Sequence, residues 1–169
     1  MANREGVPVG DQTELERRGV RRLAALVLLS VAVAGCMGED EAVSREDYIA
    51  KADAVCGTYQ VRLSAIPRPV TSEPAELGVY LERALPIARE QNEKLADLEE
   101  PSDAETRDQV EQLLALLKQE IDFNDAAQKA ASAGDRAALD SALQQGAAVS
   151  AEAGRIAEQI GFVVCARRA

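Results

Sequence analysis

Three cysteines and a cluster of carboxylates are the side chains of this chain that could carry chemistry. The cysteines are Cys36, Cys56 and Cys165, and a cysteine can form a disulfide or, as a thiolate, bind a metal or act as a nucleophile. The chain of 169 residues contains no histidine. Ser-His-Asp and Cys-His catalysis, histidine-bound zinc and histidine-ligated haem are therefore excluded. We predict no catalytic residue, no cofactor and no metal site.

The acidic cluster leaves a carboxylate-based alternative open. It surrounds a predicted loop and consists of Asp97, Glu99, Glu100, Asp103 and Glu105. Carboxylates on a loop can bind Ca²⁺, and carboxylates can also act as general acid and base. The cluster has neither the spacing of an EF-hand nor a glycine at the required turn, so a solvated acidic loop is the favoured interpretation.

Two amides, Gln91 and Asn124, lie on otherwise apolar stripes of predicted helices. A few polar groups in an apolar cavity commonly orient a ligand, and both side chains are candidates for this role. There are two alternatives. The amides hydrogen-bond to each other and fix the register of the helices, or the apolar stripe rotates at a kink produced by Pro86.

A basic segment followed by a short apolar run marks the N-terminal region. Leu23 to Ala34 holds twelve residues without a charge, directly after Arg21 and Arg22. As a helix this run would span roughly 18 Å, which is short for the ~30 Å hydrocarbon core of a bilayer. A basic flank, a short apolar run and small residues at its end are typical of a secretory signal.

The apolar run ends in Val33-Ala34-Gly35-Cys36, an aliphatic residue, two small residues and a cysteine. This order resembles the lipobox of bacterial lipoproteins. The resemblance implies that diacylglycerol is joined to the thiol of Cys36 and that the signal is cut between Gly35 and Cys36. We therefore expect residues 1–35 to be a removed signal peptide and the protein to be lipid-anchored on the extracytoplasmic face of the cell membrane. An uncleaved anchor or an ordinary secretory signal is the alternative.

The segment before the apolar run is long for such a signal and contains Glu5, Asp11, Glu14 and Glu16. A start at Val20 would give a compact signal of the usual form. We hypothesise that translation starts downstream of Met1.

Four stretches after Cys36 carry apolar residues at spacings of three and four, which is typical of one face of a helix. Residues that favour helix N-termini precede them, and proline or glycine follows them. The predicted N-caps are Ser44, Ser72, Ser102 or Asp103, and Asp135, and the predicted ends lie at Pro67, Glu100, Gly134 and Gly161. We predict an all-α fold, an antiparallel up-down-up-down four-helix bundle over residues 44–169, after an acidic tether at 36–43.

With Cys36 assigned to lipid, Cys56 and Cys165 remain, and an even remainder in an exported domain predicts one disulfide. In the predicted topology the first and last helices are antiparallel, so Cys165 comes near the early part of the first helix, where Cys56 lies. These two cysteines, with Ile160 and Gly161 before the second, resemble uncharacterised small helical lipoproteins of high-GC Gram-positive bacteria. That resemblance implies the helical fold and does not imply an established activity.

The formal charge of −10 makes nucleic acid a poor partner, because phosphate binding needs clustered Lys and Arg. The expected function is a non-enzymatic binding or interaction module of the cell envelope. Its expected partners are the membrane, through the lipid on Cys36, and an envelope protein or small ligand that the sequence does not identify. The alternatives are a carboxylate-based ion-binding protein or enzyme, and a purely structural envelope protein.

Intact mass spectrometry of the protein extracted from native membranes tests the anchor and the disulfide together. The expected mass is that of residues 36–169 plus diacylglycerol or further acyl chains, and reduction should add two hydrogens. A mass that retains residues before Cys36 would contradict the lipoprotein prediction.

Overall fold

The computed structural model describes residues 43–71 and 73–167. These residues form four helices, which are α1 (Arg45–Ser64), α2 (Pro74–Ala96), α3 (Ala104–Ala133) and α4 (Arg136–Ile160). The predicted all-α four-helix bundle is confirmed. Within the described ranges, no helix is both long and apolar enough to cross a bilayer. The predicted signal peptide, its cleavage site after Gly35, the lipidated Cys36, the tether up to residue 42 and the cap Ser72 lie outside the described residues.

Short polar side chains begin three of the four helices, because the first backbone N–H groups of a helix lack partners within it. Ser44 accepts from the N–H of Asp47 at 3.1 Å, Asp103 from that of Thr106 at 2.8 Å, and Asp135 from that of Ala138 at 3.0 Å. Helix α2 differs, because Glu73 precedes it without a side-chain cap and Pro74 occupies the first turn. Proline is tolerated there since its missing N–H would be unpaired in any case.

Glycines end the third and fourth helices. Gly134 and Gly161 have φ of 70° and 97°, in the left-handed region that glycine enters without steric cost. Each turn lets the chain reverse direction within a few residues. The predicted ends of these two helices are therefore confirmed.

Helices that are consecutive in sequence lie side by side. Helix α3 has its closest backbone packing with α4 and then with α2, whereas α1 packs less extensively, against α2. The end of the bundle that holds the α1–α2 and α3–α4 connections is termed the upper end. The lower end holds the α2–α3 connection and the C-terminus of α4.

The packed domain includes Val43, which the sequence places in the tether. Its side chain is buried in the lower end, and its carbonyl accepts from the N–H of Ser102 at 2.8 Å beside an isolated bridge to Pro101. An apolar residue next to an acidic stretch reads as linker in the sequence. The α2–α3 connection supplies its backbone partner, and the core residues of the lower end supply its apolar surroundings.

A C-terminal tail, residues 161–167, turns back from α4 and runs along α1. Phe162 is buried and its ring centroid lies 6.2 Å from that of Tyr48. The carboxylate of Asp53 accepts from three consecutive N–H groups of the tail, at 2.9 Å each, from Val163, Val164 and Cys165. These N–H groups lie beyond the end of α4 and have no partner within a helix. The carboxylate of one α1 side chain supplies their hydrogen-bond acceptor instead.

Three further links join α1 to the tail and to the end of α4. The predicted disulfide between Cys56 and Cys165 is confirmed, with the two Cα atoms 5.2 Å apart. Gln60 donates to the carbonyls of Val164 and Arg167 at 2.9 and 2.8 Å. Arg45 donates to the last carbonyls of α4, at 2.9 Å to that of Ile160. A guanidinium at this position also complements the negative end of the helix dipole.

The hydrophobic core is divided into two clusters, although the sequence predicts continuous apolar stripes along each helix. The lower cluster contains Val43, Tyr48, Ala52, Cys56, Leu95, Val110, Leu113, Ala153, Ile156, Ala157, Ile160 and Phe162. The upper cluster contains Leu81, Leu85, Ala127, Ala130, Ala131, Leu139 and Ala142. Between them the predicted stripe residues are only half buried, namely Ala84, Ala88 and Gln91 on α2 and Leu117, Ile121 and Asn124 on α3.

Removing the disulfide should lower the melting temperature strongly. The bond joins residues 109 apart, and the chain-entropy model gives about 4–5 kcal/mol for such a loop. A double variant Cys56→Ser/Cys165→Ser should therefore melt at least about 10 °C below wild type in circular dichroism. Reductant should lower the wild-type midpoint by the same amount and leave the double variant unchanged. Equal midpoints for the oxidised and reduced wild type would contradict this.

Candidate functional site

A cavity of about 310 Å³ occupies the gap between the two core clusters. All four helices, the α1–α2 connection and the C-terminal tail contribute to its lining. Its volume falls at the lower end of the range typical of small-molecule sites, about 300–1,000 Å³. The half-buried stripe residues of α2 and α3 are thereby explained, because they face this cavity instead of a neighbouring helix.

The cavity walls are largely apolar. Alanines on α2 leave the space that larger side chains would fill, at Ala84 and Ala88. Leucine and isoleucine supply most of the remaining apolar wall, at Leu63, Leu81, Leu85, Leu95, Leu113, Leu117 and Ile121. Such a wall favours the apolar part of a ligand, because its burial removes apolar surface from water.

Both amides that the sequence singles out line this one cavity, Gln91 from α2 and Asn124 from α3. Among the described residues they form no hydrogen bond with each other. The Gln91 amide donates to Sγ of Cys56 at 3.4 Å, and sulfur is a weak acceptor. Gly146 faces Asn124, since a Cβ built there would lie 3.9 Å from the Asn124 oxygen.

Asn92 is a third amide of the lining, and periodicity did not identify it. Its oxygen Oδ1 is buried and has no hydrogen-bond partner within the ranges that the structure describes. An unpaired buried oxygen costs roughly 1–3 kcal/mol. Asn92 follows Gln91 directly and lies off the apolar stripe, so only the packed structure shows that it reaches the site.

The disulfide forms part of the cavity wall. Cys56 and Cys165 both line it, as does Gln60, which fixes the tail through two hydrogen bonds. The sequence predicted the disulfide as a covalent link between the first and last parts of the domain. It gave no sign that the same disulfide would line a cavity. The tail therefore closes one side of the cavity, and Asp53 and the disulfide hold that side in place.

Two arginines, Arg68 and Arg167, line the cavity and are themselves exposed, so they lie where it opens to solvent. Neither forms an ion pair with any residue in 43–71 or 73–167. The acidic residue of the lining, Glu120, has an interaction partner of its own. The opening therefore presents guanidinium groups that are available to a ligand.

A polar cluster beside the cavity joins α1 to α2. The hydroxyl of Tyr59 donates to Glu90 at 2.9 Å, and the Arg62 guanidinium donates to the same carboxylate at 2.8 Å and lies 4.8 Å from the Tyr59 ring centroid. The hydrogen bonds from Arg62 and Tyr59 hold the pKa of Glu90 below its ordinary value.

In the lower cluster, burial and the nearby Glu100 charge raise the pKa of Tyr48 to about 12, so this tyrosine stays neutral and packs as a core residue.

Three of the five acidic residues around the α2–α3 connection are engaged in separate interactions. Asp97 pairs with Lys94 at 3.2 Å, and Glu99 lies 3.9 Å from Lys51. Asp103 caps α3, and the donated Thr106 N–H holds the pKa of this carboxyl below its ordinary value. In the part of the chain that the structure describes, no three His, Cys, Asp or Glu residues are grouped as metal ligands.

Comparison of the chain with protein-family models, with curated proteins and with solved structures found no match. The site is therefore defined by the geometry of this chain's own residues.

Replacing Asn92 by leucine should stabilise the ligand-free protein. The substitution removes the unpaired oxygen and keeps a side chain of similar size, so we expect the free energy of unfolding to rise by about 1–2 kcal/mol. Denaturant titration followed by circular dichroism measures this change. Asn124→Leu is the matched control, with a smaller change, because its oxygen is not enclosed without a partner. A less stable Asn92→Leu protein would contradict this account.

Proposed function

We propose that this chain is a lipid-anchored binding protein of the bacterial cell envelope that holds a small, largely apolar ligand in the cavity between its two core clusters. The binding role is non-enzymatic. The observation that carries the proposal is the cavity itself. It divides the core of a small bundle, and it collects two amides that the sequence places on apolar faces.

Two amides of the cavity lining are incompletely hydrogen-bonded, and outside the lining the buried Thr106 hydroxyl also has no partner among the described residues. Gln91 has only a sulfur acceptor for its amide, and Asn92 has an unpaired oxygen. Natural proteins tolerate such costs mainly where function requires them. Amides among the leucines, isoleucine and alanines of the wall suit a ligand that carries both hydrocarbon and a group able to hydrogen-bond.

The predicted lipid on Cys36 supplies the tether. Val43 lies at the lower end, seven residues after Cys36, and an extended chain of that length reaches at most about 25 Å. The lower end would therefore stay close to the membrane surface. A ligand that partitions into the membrane would be presented to the cavity at a high local concentration.

The carboxylate-based alternative has less support. It requires acidic residues that converge, whereas Asp97, Glu99 and Asp103 are engaged with a lysine, a second lysine and a helix N-terminus. The purely structural alternative predicts a bundle that takes up no ligand. One labelling experiment separates this alternative from the proposal.

A photoreactive decyl alcohol carrying a diazirine tests the binding site in native membranes that contain the full chain. We expect saturable labelling, blocked by unlabelled decanol, on peptides of α2 and α3 that line the cavity. Ala88→Phe should reduce this labelling about tenfold, because its ring occupies the cavity. Peptide mass spectrometry measures the labelled positions.

Ala126→Phe is the matched control, because Ala126 is an exposed residue in the last third of α3 and lies outside the cavity lining. It should label like wild type. Ala84→Phe is a second blocking variant in case Ala88→Phe fails to fold, and the intact disulfide of each variant is verified by mass. Labelling that does not saturate, or that persists in both blocking variants, would overturn the proposed function.

A further inference from the structure

We infer that the ligand is a single-chain amphiphile with an anionic head group, bound with its head at Arg68 and Arg167 and its chain along the cavity. This inference rests on the proposed function and adds the chemical class of the ligand. It follows from the two exposed arginines on the cavity lining and from the length of that lining.

The ion pairs of the described residues join side chains that are partly exposed to solvent. The pairs are Lys51 with Glu99, Arg62 with Glu90, Arg89 with Asp125, Lys94 with Asp97, Arg136 with Asp140 and Arg155 with Glu152. Arg68 and Arg167 have no such partner within 43–71 and 73–167, although the chain carries a formal charge of −10. Outside the cavity lining, Arg83, Arg107, Lys118 and Lys129 also lack an ion pair within these ranges. What distinguishes Arg68 and Arg167 is therefore their place on the cavity lining.

Both arginines are positioned by fixed backbone. The carbonyl of Arg167 accepts from Gln60 at 2.8 Å. Arg167 also follows Cys165 by two residues, and Cys165 is held by the disulfide and by the bond from its N–H to Asp53. Arg68 lies between Pro67 and Pro69, whose rings restrict the local backbone. The guanidinium of an arginine can bind a carboxylate or phosphate through two parallel hydrogen bonds.

The net negative charge of the chain does not prevent this binding. Charges separated by more than the Debye length, about 8 Å at physiological ionic strength, are largely screened. A head group in contact with Arg68 and Arg167 interacts mainly with those two cations. Glu120, on the same lining, already has a partner.

The shape of the cavity favours a chain over a compact ring system. Its lining extends on α2 from Tyr80 to Leu95 and on α3 from Leu113 to Asn124. At about 1.5 Å per residue these spans are roughly 22 Å and 16 Å along the bundle. A lining of this length suits an elongated ligand.

Competition against the photoreactive decyl alcohol, in native membranes with the full chain, tests the head group. The competitors share one chain and differ in charge: decanoate and decyl phosphate are anionic, decanol is neutral and decyltrimethylammonium is cationic. We expect at least one anionic competitor to be about tenfold more potent than decanol, as one charge-assisted hydrogen bond would give, and the cation to be weakest. Comparison of decanoate with decyl phosphate shows which anionic head the site prefers.

The variants Arg68→Gln and Arg167→Gln should each reduce the advantage of the anion over decanol, and the double variant should abolish it. Arg107→Gln is the matched control, since Arg107 is exposed and lies outside the cavity lining. Equal potency of anionic and neutral competitors, or an anion preference that survives the double variant, would overturn this inference and leave the proposed function intact. Absence of saturable labelling would overturn both.

Discussion

The attachment of the C-terminal tail to α1 is the constraint on which the rest of the structure depends. Helix α1 packs less closely than the other helices, so the bundle would be open along one side without the tail. Asp53 accepts three tail N–H groups, and the disulfide at Cys56 joins the same helix to Cys165. These bonds act between parts of the chain more than 100 residues apart, where an uncrosslinked chain would lose the most entropy on closing.

Because the tail holds α1 in place, the middle of the bundle does not have to be filled with side chains. Small residues at Ala84 and Ala88 and half-buried amides occupy the positions where a continuous core would need leucines. Dispersion contacts and apolar burial are lost there, and the two separate clusters provide what packing stability the bundle has. The attached tail and the internal cavity therefore belong together, because the disulfide and the hydrogen bonds of the tail compensate for an incomplete core.

The same tail also contributes to the chemistry of the cavity. It supplies part of the wall through Cys165 and places Arg167 at the opening. Hydrogen bonds from Gln60 to the carbonyls of Val164 and Arg167 fix the backbone of this segment. On the outer surface, exposed ion pairs of the bundle contribute little to stability individually, because water and salt screen them. Electrostatics therefore bears more on what can enter the cavity than on whether the bundle folds.

Local patterns in the sequence determined the four helices, three of their N-caps, the two glycine ends and the pairing of Cys56 with Cys165. These features depend on side-chain periodicity, on capping groups a few residues away and on an even number of available cysteines. Gln91 and Asn124 were also visible, because a polar residue interrupts an apolar stripe. Asp53, Asn92 and Arg167 look like ordinary surface residues in the sequence. Only the tertiary structure decided their roles, since helix periodicity says which face is apolar but not whether that face meets a neighbouring helix, a returning tail or empty space.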